Sequence, residues 1–118
     1  MENQEKIISR KSVPEQVRRI VETVFACKWS LTILTVIQMD VRRPGAICRG
    51  IEGLSPKVMN FCLGKLVAFS ILEKRAFAEI PPRVEYHLTP FGQKFLGMFA
   101  YLEDLAADLA QEAAVSDE

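Results

Sequence analysis

Several kinds of chemistry are short of ligands and nucleophiles in this chain. It holds one histidine, His87, and three widely spaced cysteines, Cys27, Cys48 and Cys62, among 118 residues. Without a Cys-x-x-Cys pair or a second histidine there is no ligand set for a structural zinc. An odd cysteine count is expected to mean reduced thiols in a cytosol. No Gly-rich phosphate loop, Ser-His-Asp set or paired-carboxylate cluster occurs, so neither catalysis nor a cofactor is expected. No apolar run reaches about 18 residues, which excludes a membrane-spanning helix. The first twelve residues are polar and lack the apolar region of a secretion signal, so a cytoplasmic protein is expected. Internal repeats and low-complexity tracts are absent.

The length suits one domain with one core. The formal net charge is zero, yet the charges are segregated. Residues 1–87 carry 14 Lys/Arg against 9 Asp/Glu, a balance of +5, whereas residues 88–118 carry Lys94 alone against 6 acids, a balance of −5. A basic body with an acidic tail can turn one face toward phosphates and the other away.

Hydrophobic periodicity organises the chain into helices. Ser12 to Glu15 has capping-box spacing, and Val17, Ile20, Val21, Val24 and Phe25 follow at i, i+3, i+4, i+7 and i+8, predicting one amphipathic helix. A second helix is expected over Lys28–Met39. Trp29, Leu31, Ile33, Leu34, Val36 and Ile37 make it apolar on nearly every side, so it reads as the buried centre, with Trp29 in the core. Val41-Arg42-Arg43 breaks the pattern and reads as a short strand. Pro44 opens a short third helix ending near Gly50 to Gly53. Ser55-Pro56 is a cap followed by proline, the start of a fourth helix with Met59, Leu63, Leu66 and Val67 inward and Lys57, Asn60, Phe61, Gly64 and Lys65 outward.

Val84, Tyr86 and Leu88 alternate with Glu85 and His87, the period-two pattern of a half-buried strand, which leaves His87 facing solvent. Its partner is expected over Ile71–Phe77, with Ala78 to Arg83 as a turn stiffened by two prolines that cannot join a ladder. Thr89-Pro90 then starts a last helix, to about Ala114. Phe91, Phe95, Met98, Leu102, Leu105 and Leu109 are spaced 4, 3, 4, 3 and 4 along it, with Phe99 and Ala106 widening the seam. A helix of about 25 residues would reach roughly 37 Å, past the edge of so small a body, so its seam calls for a partner. The order helix, helix, short helix, long helix, basic hairpin, helix is that of a winged helix-turn-helix. The fold class is mainly α with a small β-hairpin wing, dimeric through the C-terminal helix. The corresponding divisions are a mobile arm over 1–11, the winged domain over 12–89, a dimerisation helix over 90–114 and an acidic tail over 115–118.

Three stretches carry a family resemblance: Cys27-Lys28-Trp29-Ser30-Leu31 with Ile33-Leu34, Gly53-Leu54-Ser55-Pro56-Lys57-Val58, and Pro81-Pro82-Arg83-Val84-Glu85-Tyr86 with Leu88-Thr89-Pro90-Phe91-Gly92. On these the chain resembles the HxlR-type bacterial winged-helix regulators, relatives of the MarR group, over about Val17 to Leu105. The resemblance implies a homodimeric transcription factor on double-stranded DNA, the helix from Ser55 in the major groove and the 71–88 hairpin as the wing. Where family members present Gln and Arg outward on that helix, this chain has Asn60, Phe61, Cys62 and Gly64. Asn60 can pair with adenine and Phe61 can touch a thymine methyl, but no arginine is placed to grip guanine. The family's sensing cysteine would fall near Gln16, so that role is not carried over.

The expected DNA contacts are Ser55, Lys57, Asn60, Phe61, Gly64, Lys65, Lys74, Arg75 and Arg83, with Arg42 and Arg43 on the backbone. Val17, Phe91, Phe95, Met98, Phe99, Leu102, Leu105 and Leu109 are expected at the dimer interface. A thiol-responsive variant would use Cys27, beside Lys28, or Cys62. The competing expectation, from another class, is a winged-helix protein-interaction module in which Phe61 and its neighbours meet a protein and DNA binding is weak or lost. No effector can be named from these residues.

Overall fold

A computed structural model describes Ser9 and residues 13–116; the expected arm over 1–11 is, apart from Ser9, outside the described residues, as are Ser12 of the capping box and the end of the acidic tail. The elements are α1 (Glu15–Arg19), running directly into a π-helical turn (Ile20–Val24), then α2 (Ser30–Gln38), α3 (Pro44–Gly50), α4 (Pro56–Ala68), β1 (Leu72–Phe77), β2 (Arg83–Leu88) and α5 (Pro90–Ser116). This is a winged helix-turn-helix with a two-stranded antiparallel wing in the register Leu72↔Leu88 to Phe77↔Arg83. The core is one cluster, built from Ile33, Leu34 and Ile37 of α2, Ile47 of α3, Met59, Leu63 and Leu66 of α4, Ile71 and Leu72, Tyr86, and Phe95 and Phe99.

Several expectations need correcting. The first helix is α-helical for one turn and then widens to π geometry; only Val24 of its apolar row is buried, while Val17, Val21 and Phe25 stay exposed. The second helix starts at Ser30 and buries one face, Ser30, Ile33, Leu34 and Ile37, leaving Leu31 exposed. Trp29 is half-buried at the edge of the core, outside it proper. No strand forms at 41–43. A single backbone bond, from the Tyr86 N–H to the Arg42 carbonyl at 2.9 Å, ties that segment to β2.

Two helix ends are closed the same way. Asp40 and Ser70 hold left-handed φ values of 69° and 61°. At the first end the N–H groups of Asp40 and Val41 bond the carbonyls of Ile37 and Val36; at the second those of Ser70 and Ile71 bond Val67 and Leu66. Each is a Schellman closure, which satisfies orphan carbonyls and turns the chain sharply. The first aims Arg42 at the wing and the second delivers β1.

The wing then meets α5 at a tight junction. The Thr89 hydroxyl accepts the Gly92 N–H at 2.8 Å, capping α5, and donates to the Ser70 carbonyl at 2.6 Å. Pro90 follows in the first helical position, where its missing N–H costs nothing. A Cβ at Gly92 would lie 2.1 Å from the Ile71 carbonyl oxygen, so only glycine allows this approach. Past Phe99 every described side chain of α5 is exposed, and the helix projects beyond the body.

Candidate nucleic-acid interface

α4 is two-sided. Ser55 caps it, its hydroxyl accepting the Val58 N–H at 3.2 Å, and Met59, Cys62, Leu63 and Leu66 are buried on its inner face. That anchoring leaves Ser55, Lys57, Asn60, Phe61 and Gly64 exposed together on the outer face, with Lys65 half-buried beside them. Phe61 is 63% exposed, and the Lys65 ammonium lies 5.1 Å from its ring centroid. An exposed face carrying two lysines, an amide and an apolar ring can meet phosphates and base edges at once.

Cys62 corrects two expectations. It points inward, fully buried, and is joined to Cys27 in a disulfide, so these two cysteines are not reduced thiols and Cys62 is not an outward position. The spacing Met59, Cys62, Leu63, Leu66 is i, i+3, i+4, i+7, one helical face, which carries Cys62 against the turn before α2. Cys48 is the remaining thiol; its Sγ–H donates to the Leu54 carbonyl at 3.3 Å.

The wing cations divide. Lys74 and Arg75 are exposed on β1, Arg75 pairing with Glu73 at 3.3 Å. Arg83 lies across the Phe77 ring, 4.1 Å from its centroid, and pairs with Glu79 at 3.2 Å and Glu85 at 3.5 Å. Its charge is largely satisfied within the hairpin, so it stiffens the wing. Arg42 is held by Asp40 at 2.5 Å and by His87 Nδ1 at 3.0 Å. His87 is therefore not solvated: Nδ1 accepts from Arg42 and Nε2 donates to Glu85 at 2.8 Å. The His87 hydrogen bond, aided by the charges of Arg83, His87 and Arg43 against a smaller opposing effect of burial, holds the Glu85 carboxyl below its ordinary value. Arg43 is exposed next to this network.

The expected dimer seam splits in two. Phe95 and Phe99 are buried in the protomer's own core, stacked edge-on at 5.5 Å and each 5.9 Å from Phe25. They cannot offer much area to a partner. Phe91, Met98, Leu102, Leu105 and Leu109 remain exposed, and Val17, Val21 and Phe25 extend the apolar strip across the N-terminal helix. A hollow of about 290 Å³ between the two helices is lined by Val17, Val21, Phe25, Phe91 and Met98. Val21 and Phe25 were not among the residues expected on this exposed strip; their i, i+4, i+8 row with Val17 was the available signal.

Fold and surface together define a winged helix-turn-helix protein with an exposed, cation-bearing helix face. The HxlR-like helix-turn-helix family model matches residues 24–114, and the chain belongs to that family. The uncharacterized HTH-type transcriptional regulator sll1512 of Synechocystis is 33% identical over 87 residues, covering 73% of this chain. The chain spans 64% of the length of that relative. YtfH of Escherichia coli, also an uncharacterized HTH-type transcriptional regulator, is 33% identical over 92 residues, 77% of this chain and 73% of its own. A solved MarR-family structure from Porphyromonas gingivalis is similar at a TM-score of 0.68 and 34% identity, covering 86% of this chain and 97% of that one. No helix among the described residues is long and apolar enough to cross a membrane.

Proposed function

We propose that the chain works in the cytoplasm as a homodimeric regulator on pseudo-palindromic duplex DNA, with α4 in the major groove and the β1–β2 hairpin along the backbone. The observation that carries this reading is the two-sidedness of α4: its inner face is locked into the core while Lys57, Asn60, Phe61 and Gly64 stand exposed in one row. The exposed strip of Val17, Val21, Phe91, Met98, Leu102, Leu105 and Leu109 supports a second copy as the partner. An apolar seam at heptad spacing on a projecting helix is the usual geometry of helix pairing. Paired protomers would set two α4 helices about one DNA turn, roughly 34 Å, apart.

Lys57, Lys65, Lys74, Arg75 and Arg43 supply phosphate contacts in this reading, whereas Asn60 and Phe61 meet bases. Arg42 and Arg83, tied to Asp40, His87, Glu79 and Glu85, fix the wing's shape. The test is a titration of genomic fragments at two salt concentrations in the presence of competitor DNA. Competition-resistant binding is expected, and Lys57→Ala should weaken it on every sequence and lower the salt slope by about 1. Binding that competitor abolishes would favour the protein-interaction module instead.

A second reading is favoured by the Cys27–Cys62 disulfide, which ties the groove helix to the turn before α2. Reduction would release that tie, making DNA affinity responsive to thiols. Equal DNA affinity with and without reductant would dispose of it.

A further inference from the structure

The tip of the wing is apolar, although the hairpin behind it is basic. Ala78, Glu79, Ile80, Pro81 and Pro82 are all exposed between β1 and β2, Ile80 fully so. The charged groups of this turn are engaged within it. The Glu79 carboxylate accepts from Arg83 at 3.2 Å, Arg83 lies over the Phe77 ring at 4.1 Å, and the Glu79 N–H donates to the Phe77 carbonyl at 2.9 Å. Pro81 and Pro82 fix two successive φ angles. The turn is therefore stiff, and its leading side chain is a branched alkane. A single exposed apolar residue is ordinary on a protein surface. One held rigidly at the end of a basic hairpin is a different arrangement.

Beside the tip, a cleft of about 430 Å³ lies between the wing turn and the start of α3, lined by Arg43, Pro44 and Gly45 and by residues 79–84. Arg43 is exposed there, and Lys74 and Arg75 are exposed further back along β1. Each backbone of a DNA duplex borders the major groove on one side and the minor groove on the other. With α4 in the major groove, a backbone at this cleft meets Arg43, and the wing tip reaches past it to the minor groove.

We infer that Ile80 enters the minor groove as a wedge, parting one base step and kinking the duplex at the wing; this rests on the reading of α4 as the groove helix. An alkane offers phosphates nothing and gains by covering the faces of unstacked bases. Apolar wedges in the minor groove kink DNA toward the major groove, which here folds the duplex onto α4. The wedge also gives selectivity without a hydrogen bond to a base. Pyrimidine–purine steps unstack most readily, so the step beneath Ile80 should be TA or CA. That adds a preference outside the reach of Asn60, in a chain whose α4 has no arginine for guanine.

The full chain would be mixed with a duplex recovered by repeated selection from random DNA. The duplex is labelled at its ends for resonance energy transfer and carries aminopurine, a base analogue whose emission rises on unstacking, at successive positions. The wild type is expected to shorten the end-to-end distance and to raise emission at a step flanking the α4 site. Ile80→Ala and Ile80→Ser should lose both signals and bind about tenfold more weakly, with the salt slope unchanged because no phosphate contact is lost. Ile80→Leu should keep both signals. Lys74→Ala should keep the emission signal and lower the salt slope by about 1. Ile80 is fully exposed, so these variants leave the core intact, which circular dichroism checks. A bound duplex that stays straight with unchanged emission, or Ile80→Ala that bends and unstacks it as the wild type does, overturns the wedge and leaves the groove-helix reading standing. No binding to any duplex overturns both.

Discussion

Replacing Gly92 with alanine should destabilise the protein at the junction of wing and α5. The new Cβ would sit 2.1 Å from the Ile71 carbonyl oxygen, 3.1 Å from its carbon and 3.2 Å from Leu88 Cδ2. Ordinary contact requires a retreat of about 1 Å by backbone, which no rotamer change can supply. The same carbonyl oxygen accepts the Thr89 N–H at 3.1 Å, so moving it strains the cap of α5 as well. Overpacking costs about 1–3 kcal/mol and a compromised hydrogen bond about 1 kcal/mol; alanine's better helix propensity returns at most about 1 kcal/mol. The net loss is about 2 kcal/mol, or roughly 8 °C in Tm for a domain of this size. Calorimetry of Gly92→Ala and Gly64→Ala at one fixed protein concentration tests the argument, because any self-association would make Tm concentration-dependent. Nothing lies within 4 Å of a Cβ at Gly64, in the interior of α4, so that substitution should raise stability by about 1 kcal/mol. If Gly92→Ala were as stable as the wild type, the steric reasoning would be refuted.

Leu105→Glu should leave a folded monomer, since Leu105 is exposed in the protomer and lies on the apolar strip; sedimentation would read the change in mass. The lowered Glu85 carboxyl gives a pH signature. A group whose pKa is depressed on folding contributes stability above its unfolded value, near 4.5, and loses it as pH falls through the folded value. Glu85→Gln should therefore be less stable than wild type at neutral pH, and urea midpoints of the two should converge as pH drops below that point. Denatured without reductant, the chain should show one reactive thiol, Cys48, and three with reductant. Closing a loop across a separation of 35 residues, the disulfide should add about 3–4 kcal/mol to stability, read from urea midpoints with and without reductant.

Much of the fold was legible because its signals are local. Ser55-Pro56 and Thr89-Pro90 announce helix starts through cap chemistry that depends on three or four neighbouring residues. The alternation over 84–88 announced β2, and the heptad spacing announced α5. What failed depended on contacts distant in sequence. His87 looked solvent-facing by alternation, yet Arg42, delivered by the left-handed turn at Asp40, covers that face of β2. Phe95 and Phe99 belong to the seam by spacing, but the N-terminal helix supplies Phe25 against them and takes them into the core. Gly92 was recognisable as part of a motif, while its reason, the Ile71 carbonyl, lies 21 residues earlier in the chain. Cys62 is the exception: its i+3 relation to Met59 placed it inward, and treating it as a replaced polar position hid that.

For the site, residue types on α4 were readable from periodicity, and the outer row stands where the spacing placed it. The internal ion pairs of Arg83 and Arg42 were not readable, because a cation's partners depend on register and turn geometry rather than composition.

The central claim is that two copies, joined along α5, present paired α4 helices to one duplex. Sedimentation equilibrium of the protein with a duplex recovered by repeated selection from random DNA tests it most directly, since it counts chains per duplex. Two wild-type chains per duplex, with Leu105→Glu binding far more weakly, is the result the account predicts. One chain per duplex at saturation, or a selection that yields no preferred sequence, would contradict it.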